Sequence, residues 1–350
     1  MDNTIAMLNE SVSRMLAEQA NPNTTLEAEK TGIDSHLWQS LCKLGIAGSD
    51  ASDMQTDEHM AILQALGYAG ALVPYAESEA IGRWLSNAAK ITATDIQTIC
   101  ILPACDIALN DDGSVQLQTD GCVVPWGRFA QQVLFSFESN GQAWIAVTPT
   151  DQLDLQHGHN MAGEPQDSIG LSSIKVPGIN VHAVDACYGP QAVRARGALC
   201  RAKQMVGAMN KVNAATLQYS HDRKQFNRSL SQFQVIQSYL AAMTGEYCAA
   251  LAAAEMAVAA SDRQTAIRTI ASAKIRAGQA ARVISAHGHQ VHGAIGFTRE
   301  FPLNLWTRRL WSWREEYGNE AHWARELGAI IVGAGADALW SGITATVQEA

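Results

Sequence analysis

No run of apolar residues reaches the roughly 18 that a membrane-crossing helix needs, so no span is expected anywhere in the 350 residues. Basic residues are in deficit. The 25 Lys and Arg against 34 Asp and Glu leave a formal net charge of -9, which excludes a general nucleic-acid binder because such a protein needs a basic face. A local basic cluster can still grip a small phosphate ligand. No C-x-x-C pair occurs among the cysteines at 42, 100, 105, 122, 187, 200 and 248, and the Cys100/Cys105 spacing has no histidine beside it. Reduced, mostly buried thiols are therefore expected, not a disulfide framework or a zinc site. The start, MDNTIAMLNESVSRMLAEQA, carries acidic residues on an amphipathic pattern, unlike a signal peptide or an Arg-rich transit peptide. A cytoplasmic location is the expectation. Serine-nucleophile motifs, Walker loops and paired zinc motifs are missing too, as is the strand–helix alternation of a Rossmann domain.

What is present falls into three textures. Residues 1–86 read as helices: Leu37, Trp38, Leu41, Cys42 and Leu44 share one apolar face stopped by Gly45, His59 to Ala71 forms another helix, and after Val73-Pro74 the pattern resumes from Glu77 to Ala88. Residues 87–187 are short, β-branched and partly alternating (TICILPA, QVLFSFES, QAWIAVTP, SSIKVPG), separated by turn pairs such as Asp112-Gly113 and Asn140-Gly141. Residues 188–350 are helical again, with long Ala-rich segments near 190–220, 230–260, 264–290 and 319–345. Small residues let helices approach closely, as in an antiparallel bundle. The expected fold class is α+β and multi-domain: an N-terminal α-helical domain, a central antiparallel β-barrel or sandwich, and a C-terminal four-helix bundle.

Three stretches carry candidate chemistry. HDRKQFNRSLSQFQ, residues 221–234, crowds Arg223, Lys224 and Arg228 around the apolar Phe226. An arginine fork matches a pyrophosphate, and amides such as those of Gln225 and Gln234 can read a purine edge; the alternative is a solvated basic loop. HGHQVHGAIGFTRE, residues 287–300, holds His287, His289 and His292, but no Cys or carboxylate completes a metal set. Its Gly293 and Gly296 mark a helix end and a turn, where backbone amides can approach a ligand. In FTREFPLNLWTRRLWSWREEYGNEAHW, residues 297–323, arginines interleave with tryptophans. That pattern reads either as a site lining or as a mixed helix face paired to Glu315, Glu316 and Glu320. Trp126-Gly127, in the sheet region, reads as a core or turn tryptophan or as an aromatic face for a ring.

Taken together, these stretches resemble the acyl-CoA dehydrogenase family. YSHDRKQFNRSLSQFQVIQSYLAAM is similar to its R-K-Q-F-G…F-Q…L-A-x-M signature, and QVHGAIGFTREFPLNLWTRRL to its Q-x-H-G-G-x-G-F-x-x-E-x-P segment. LWQSLCKLGIAG and ILQALGYAGALVPYAESEAIGRWL look like its N-terminal helical landmarks. The resemblance implies a dimer of dimers carrying FAD, acting on an acyl-CoA thioester and passing electrons to an electron-transfer flavoprotein-type acceptor. It implies that Arg223, with Gln225 and Phe226, contacts the FAD pyrophosphate across a subunit boundary, that Phe233 and Gln234 lie by the adenine, and that Gln290, Val291, His292, Gly293 and Ala294 meet the cofactor in the partner subunit. The family reaction removes a proton beside the thioester while hydride leaves the next carbon.

Two departures change the expectation. The T-E-P-x-x-G-S-D loop of the family has no counterpart near 85–110. Counting from Pro302 puts Tyr317 in the slot of the glutamate base in Y-E-G-T, and a phenol with a pKa near ~10 is a poor base at neutral pH. The alternative base position, on the first bundle helix, falls at Gly197 or a neighbour, and AVRARGALCRAKQMVG contains no carboxylate. Short members of this kind occur as one half of heteromeric complexes that handle bulky thioesters, steroid side-chain intermediates included. The expectation is a heterotetramer subunit whose homologous partner supplies the base. Two alternatives stay open: a homomeric enzyme using a displaced carboxylate, Glu316 or Glu246, and a scaffold of the same fold without flavin.

Overall fold

The computed structural model describes residues 3–340, apart from 52, 104–106, 108, 109, 111, 171, 172, 261–265, 299 and 300. Helix α1 spans Asn3–Gln19 and α2 Pro22–Thr31, the latter with Pro at its first position and the Asn21 side chain accepting from the amides of Asn23 and Thr24. The apolar face predicted around Leu37 becomes α3, Ser35–Lys43; the Asp34 carboxylate caps it by accepting from the Leu37 amide at 2.9 Å. Helix α4, Thr56–Ala69, ends on the left-handed Gly70.

The segment predicted to resume as a helix at 77–88 does so in two forms. Ala76–Arg83 is a π-helix and Trp84–Ala89 is α5. The wide turns bury a charged cluster: Glu79 takes the Gly48 amide at 3.1 Å and the Arg83 Nε at 2.8 Å. Burial pushes the Glu79 carboxyl up, with Arg83 opposing it.

The middle of the chain gives β1 (Gln97–Ile101), β2 (Val115–Gln118), β3 (Val123–Pro125), β4 (Gln132–Ser139), β5 (Gln142–Pro149), β6 (Leu155–Gln156), β7 (Gln166–Ile169), β8 (Ser173–Val176) and β9 (Val181–Val184). The expected multi-domain α+β class with a central β module holds, and two details of the antiparallel barrel or sandwich differ. Strand β1 runs parallel to β4, Cys100 opposite Phe135, because the chain leaves through β2 and β3 and returns in the same direction, a crossover and not a hairpin. The sheets, ordered β1-β4-β5-β9, β3-β7-β6 and β2-β8, remain separate among the described residues and close no barrel. Val115, Leu117, Val124, Phe135 and Phe137 share their core.

The remainder forms α6 (Pro190–Asp222), the two-stranded ribbon β10 (Lys224–Gln225) and β11 (Arg228–Ser229), α7 (Gln234–Ala259), α8 (Ala266–His292), α9 (Leu303–Glu315) and α10 (Glu320–Ala334). Two compact units result. One holds residues 1–25, 55–71 and 198–350; the other holds 26–54 and 72–197. In the first, α8 packs against α7, α9 and α10. There too α4 and α6 touch backbone to backbone: a Cβ on Gly67 would meet the Gln204 carbonyl oxygen at 2.1 Å, and one on Gly207 the Gln64 carbonyl oxygen at 2.0 Å. No helix among the described residues is long and apolar enough to cross a membrane.

Candidate active site and cofactor cradle

The basic cluster predicted at 221–234 is a hairpin, not a plain loop. Phe226 and Asn227 take positive φ values of 52° and 63°, the two-residue turn that matches strand twist. Lys224 pairs with Ser229 and Gln225 with Arg228 in the ribbon, and the Leu230 amide donates to the Arg223 carbonyl at 2.9 Å. Phe226 is 87% exposed at the tip, edge-on to Phe233, and the Arg228 guanidinium lies 3.9 Å above the Phe233 ring. Arg223, Lys224 and Arg228 are exposed and make no ion pair among the described residues. Three uncompensated cations on a rigid turn suit a diphosphate, and they would lose little entropy on binding one.

The second predicted segment is the C-terminal end of α8. Its helix stops at His292, and Gly293 (φ 63°) turns the chain into a 3₁₀ turn, Gly293–Phe297. Gln290, Gly293 and Ala294 face solvent, whereas Val291 and His292 point inward. His292 stacks on Tyr219 of α6 at 4.3 Å between centroids and shares a hydrogen bond with the Gly288 carbonyl, while burial holds its pKa below the usual imidazole value. The Tyr219 stack brings the hairpin end of α6 and the turn at 293 to the same end of the bundle. Beside that turn lies a cavity of about 630 Å3, bordered by Arg282, Ser285, His289, Gln290, Gly293 and Trp311. Ser285 Oγ and His289 Nδ1 are buried with no hydrogen-bond partner among the described residues. Such orphaned atoms fit a bound polar group.

The third segment, where the catalytic loop was expected, follows α9. Glu316 ends that helix, Tyr317 adopts φ 54° and Gly318 φ 96°, and Asn319 caps α10 by accepting from the His322 amide. Arg201 on α6, 3% exposed, places Nε and Nη2 each 2.7 Å from Glu316 Oε2. Its guanidinium also lies 5.9 Å from the Trp313 ring centroid and 5.7 Å from that of Tyr317. Lys274 on α8, 1% exposed, donates to the Arg314 carbonyl at 2.7 Å and the Gly318 carbonyl at 2.9 Å. Burial lowers the Lys274 pKa to about 8, against the pull of Glu316 and Glu320. The Tyr317 carbonyl takes the Trp323 indole N–H at 3.1 Å. The Glu246 carboxylate, the other candidate base, is ion-paired to Arg276.

The predicted site residues thus form two groups. Hairpin and 293 turn share one end of the bundle, while the Tyr317 loop sits at Lys274; from Lys274 to Val291 the helix rises about 26 Å. Sequence reasoning missed Arg201 and Lys274. Each was visible only as one of several cations in an Ala-rich helix, a weak signal without the fold.

A family model for the acyl-CoA dehydrogenase C-terminal domain matches residues 194–322, which span the hairpin, the 293 turn and the Tyr317 loop. Acyl-CoA dehydrogenase IpdE2 of Mycobacterium tuberculosis is similar over nearly the whole length, 25% identical across 87% of this chain and 89% of that protein. Residues 194–322 belong to the acyl-CoA dehydrogenase family, and the chain as a whole resembles a divergent member of it. Two solved structures share its fold: the ChsE4-ChsE5 complex from Mycobacterium tuberculosis (TM-score 0.87, 18% identity, covering 96% of this chain and 99% of that one) and the Tcur3481-Tcur3483 steroid ACAD G363A variant (TM-score 0.85, 17% identity, 95% and 98%). Within this family of flavoprotein oxidoreductases, the three exposed cations of the hairpin and the orphaned polar atoms by the 293 turn are residues that fit a flavin nucleotide.

Proposed function

We propose that this acyl-CoA dehydrogenase homologue is the FAD-contacting subunit of a heterotetramer whose homologous partner supplies the catalytic base. One observation carries the reading: both candidate base carboxylates are held in ion pairs with arginines. Tyr317 fills the glutamate slot, Glu316 is clamped by Arg201, and Glu246 is paired to Arg276. The separation of the two groups along α8 supports it, since a cofactor gripped by the hairpin of one chain would react beside the loop of another.

In this reading Arg223, Lys224 and Arg228 neutralise the diphosphate of FAD, Phe226 and Phe233 cover an apolar part of it, and Gln225 and Gln234 meet its polar edges. Gln290, Gly293 and Ala294 present the 293 turn to the cofactor, with Val291 and His292 holding that turn from behind. The chemistry that bound flavin supplies is acceptance of a hydride from the carbon next but one to the thioester carbonyl. Arg201 and Lys274 hold the Tyr317 loop closed and keep it out of proton transfer. The substrate is an acyl-CoA thioester with a bulky acyl group of steroid type, in keeping with the steroid ACAD that shares the fold, and the electron acceptor is of the electron-transfer flavoprotein type. The helical region 1–86, the β region 87–187 and the bundle 188–350 serve as the three domains, in a cytoplasmic complex.

The test is flavin content with and without a partner. The chain is purified alone and co-expressed with a homologue that carries the glutamate, and the visible spectrum and acyl-CoA oxidation by an artificial acceptor are recorded. A stable complex with flavin absorbance and activity, against a pale inactive chain alone, is the expected result. Full flavin and turnover in the isolated chain would establish the homomeric alternative instead. A complex that never binds flavin would establish the scaffold.

A further inference from the structure

A cavity of about 990 Å3 lies between α1, α4, α6 and the C-terminal end of α7, within one compact unit. It shares no lining residue with the cavity at the 293 turn or with the Tyr317 loop. Its walls follow from helical spacing. Helix α4 contributes Ala61, Ala65 and Ala69, and α6 contributes Lys203, Gly207 and Lys211, each set four residues apart. The small side chains leave room that α1, packed on α4, does not fill. The close crossing at Gly207 fixes the two walls against each other, and Leu16, Met60 and Trp306 add buried apolar surface. Of the charged groups at the cavity, Lys203 is paired to Glu255 and Glu10 to Arg14. The Asp57 carboxylate accepts from the Glu58 amide at the start of α4. The Lys211 side chain makes no ion pair or hydrogen bond among the described residues. Its ammonium lies 5.2 Å from the Tyr68 ring centroid and 5.4 Å from that of Trp306. The Trp306 indole N–H donates to the Tyr68 carbonyl at 3.0 Å, which fixes that ring.

We propose that this cavity binds an amphipathic carboxylate, with its apolar body against Leu16, Met60, Ala61 and Ala65 and its carboxylate on Lys211. The volume is at the upper end of the roughly 300–1,000 Å3 that small-ligand pockets span, and the apolar walls suit an aliphatic or alicyclic body. The head group is decided by Lys211. An ammonium set between two aromatic rings has given up part of its hydration, and its three N–H donors meet no acceptor among the described residues. A carboxylate fills that vacancy with charge-assisted hydrogen bonds. The Gln64 and Asn210 side-chain amides line the same cavity and are further donors for it. A neutral amphiphile would dry the cavity and leave the cation unpaired, which costs binding energy. A cationic one would be repelled. Because the walls are helices already locked together, little ordering is needed on binding.

The test titrates the full chain with dodecanoate below its micellar concentration and follows binding by calorimetry. One saturable site per chain is expected. Lys211→Met should weaken it at least tenfold, Lys211→Arg should keep most of the affinity, and dodecanol should bind wild type at least tenfold more weakly than dodecanoate. Dodecyltrimethylammonium should not bind. Ala65→Phe fills the cavity and should abolish binding while thermal melting reports that the chain is folded. A diazirine-bearing dodecanoate locates the site without any variant: after photolysis, labelled peptides should come from α1, α4 or α6. No saturable binding, equal affinity of wild type and Lys211→Met, dodecanol binding as tightly as dodecanoate, or label confined to other segments would each overturn the proposal. The readouts need neither flavin nor a partner subunit, so their failure is distinct from failure of the heterotetramer reading.

Discussion

Arg201 donates to Glu316 Oε2 from both Nε and Nη2, each at 2.7 Å, with the guanidinium 3% exposed. A carboxylate held this way is neutralised where it stands, and drawing a proton onto it would break the pair. Glu316→Gln should therefore leave turnover of the assembled complex within a few-fold of wild type, whereas loss of a true base costs roughly 100-fold or more. The same change strips a buried cation of its partner and should cost about 3 kcal/mol of stability. Chemical denaturation and steady-state kinetics on one preparation separate the outcomes. A large loss of kcat with unchanged stability would make Glu316 the base after all.

Lys274 gives a prediction whose sign is fixed by burial. Its folded pKa is about 8 against an ordinary 10.5, so between those values the unfolded chain binds more protons than the folded one, and stability contributed by this group rises with pH through that window. Below pH 8 both states hold the proton and the burial penalty is fully present. The difference in unfolding free energy between wild type and Lys274→Met should grow in favour of wild type from pH 7.5 to 10, by on the order of 2 kcal/mol. Loss of the donor to the Arg314 and Gly318 carbonyls should also speed amide exchange across residues 315–319 in the variant. Parallel pH–stability curves for the two proteins would refute the assignment.

Fold and site were unequally legible. The helices announced themselves through short-range pattern: Leu37, Trp38 and Leu41 on one face, with Gly45 as the stop. The β1–β4 parallel pairing was not, because Cys100 and Phe135 carry no mark of which neighbour their strands choose, and the crossover between them is a long-range event. The π-helix at Ala76–Arg83 was likewise hidden, since its ladder shift stabilises buried Glu79 through Gly48, a residue far back in the chain. At the site, the Arg223 to Gln234 run and the Gln290 to Ala294 turn were read from local motif. Arg201 and Lys274 matter only through the loop at 314–318, which lies forty or more positions from Lys274 and over a hundred from Arg201, so neither could be read locally.

The α4–α6 crossing depends on two glycines. A methyl group on Gly207 would sit 2.0 Å from the Gln64 carbonyl oxygen and 2.7 Å from the Tyr68 nitrogen, both backbone atoms that no rotamer change can move. Gly207→Ala must separate the helices, which costs about 3 kcal/mol, the upper part of the usual range for overpacking. Gly245→Ala is the control, because a Cβ there meets nothing within 4 Å, and helix propensity should make it neutral or slightly stabilising. Equal melting temperatures for the two variants would contradict the close crossing.

The hairpin supplies the prediction closest to function. Arg223, Lys224 and Arg228 are exposed, so their grip on a diphosphate should be screened by salt, and each charge-assisted contact is worth roughly 1.5–3 kcal/mol. Arg223→Ala in the co-expressed complex should weaken flavin retention by about 10- to 100-fold, with Arg223→Lys recovering part of it because the charge survives and the fork does not. Raising salt from 50 to 500 mM should loosen flavin in wild type more than in Arg223→Ala, since the variant has one charge fewer to screen. Tyr317→Phe, about 26 Å away along α8, should keep its flavin and its pH–rate profile. Flavin lost from Tyr317→Phe and kept in Arg223→Ala would reverse the assignment of the two ends of the bundle.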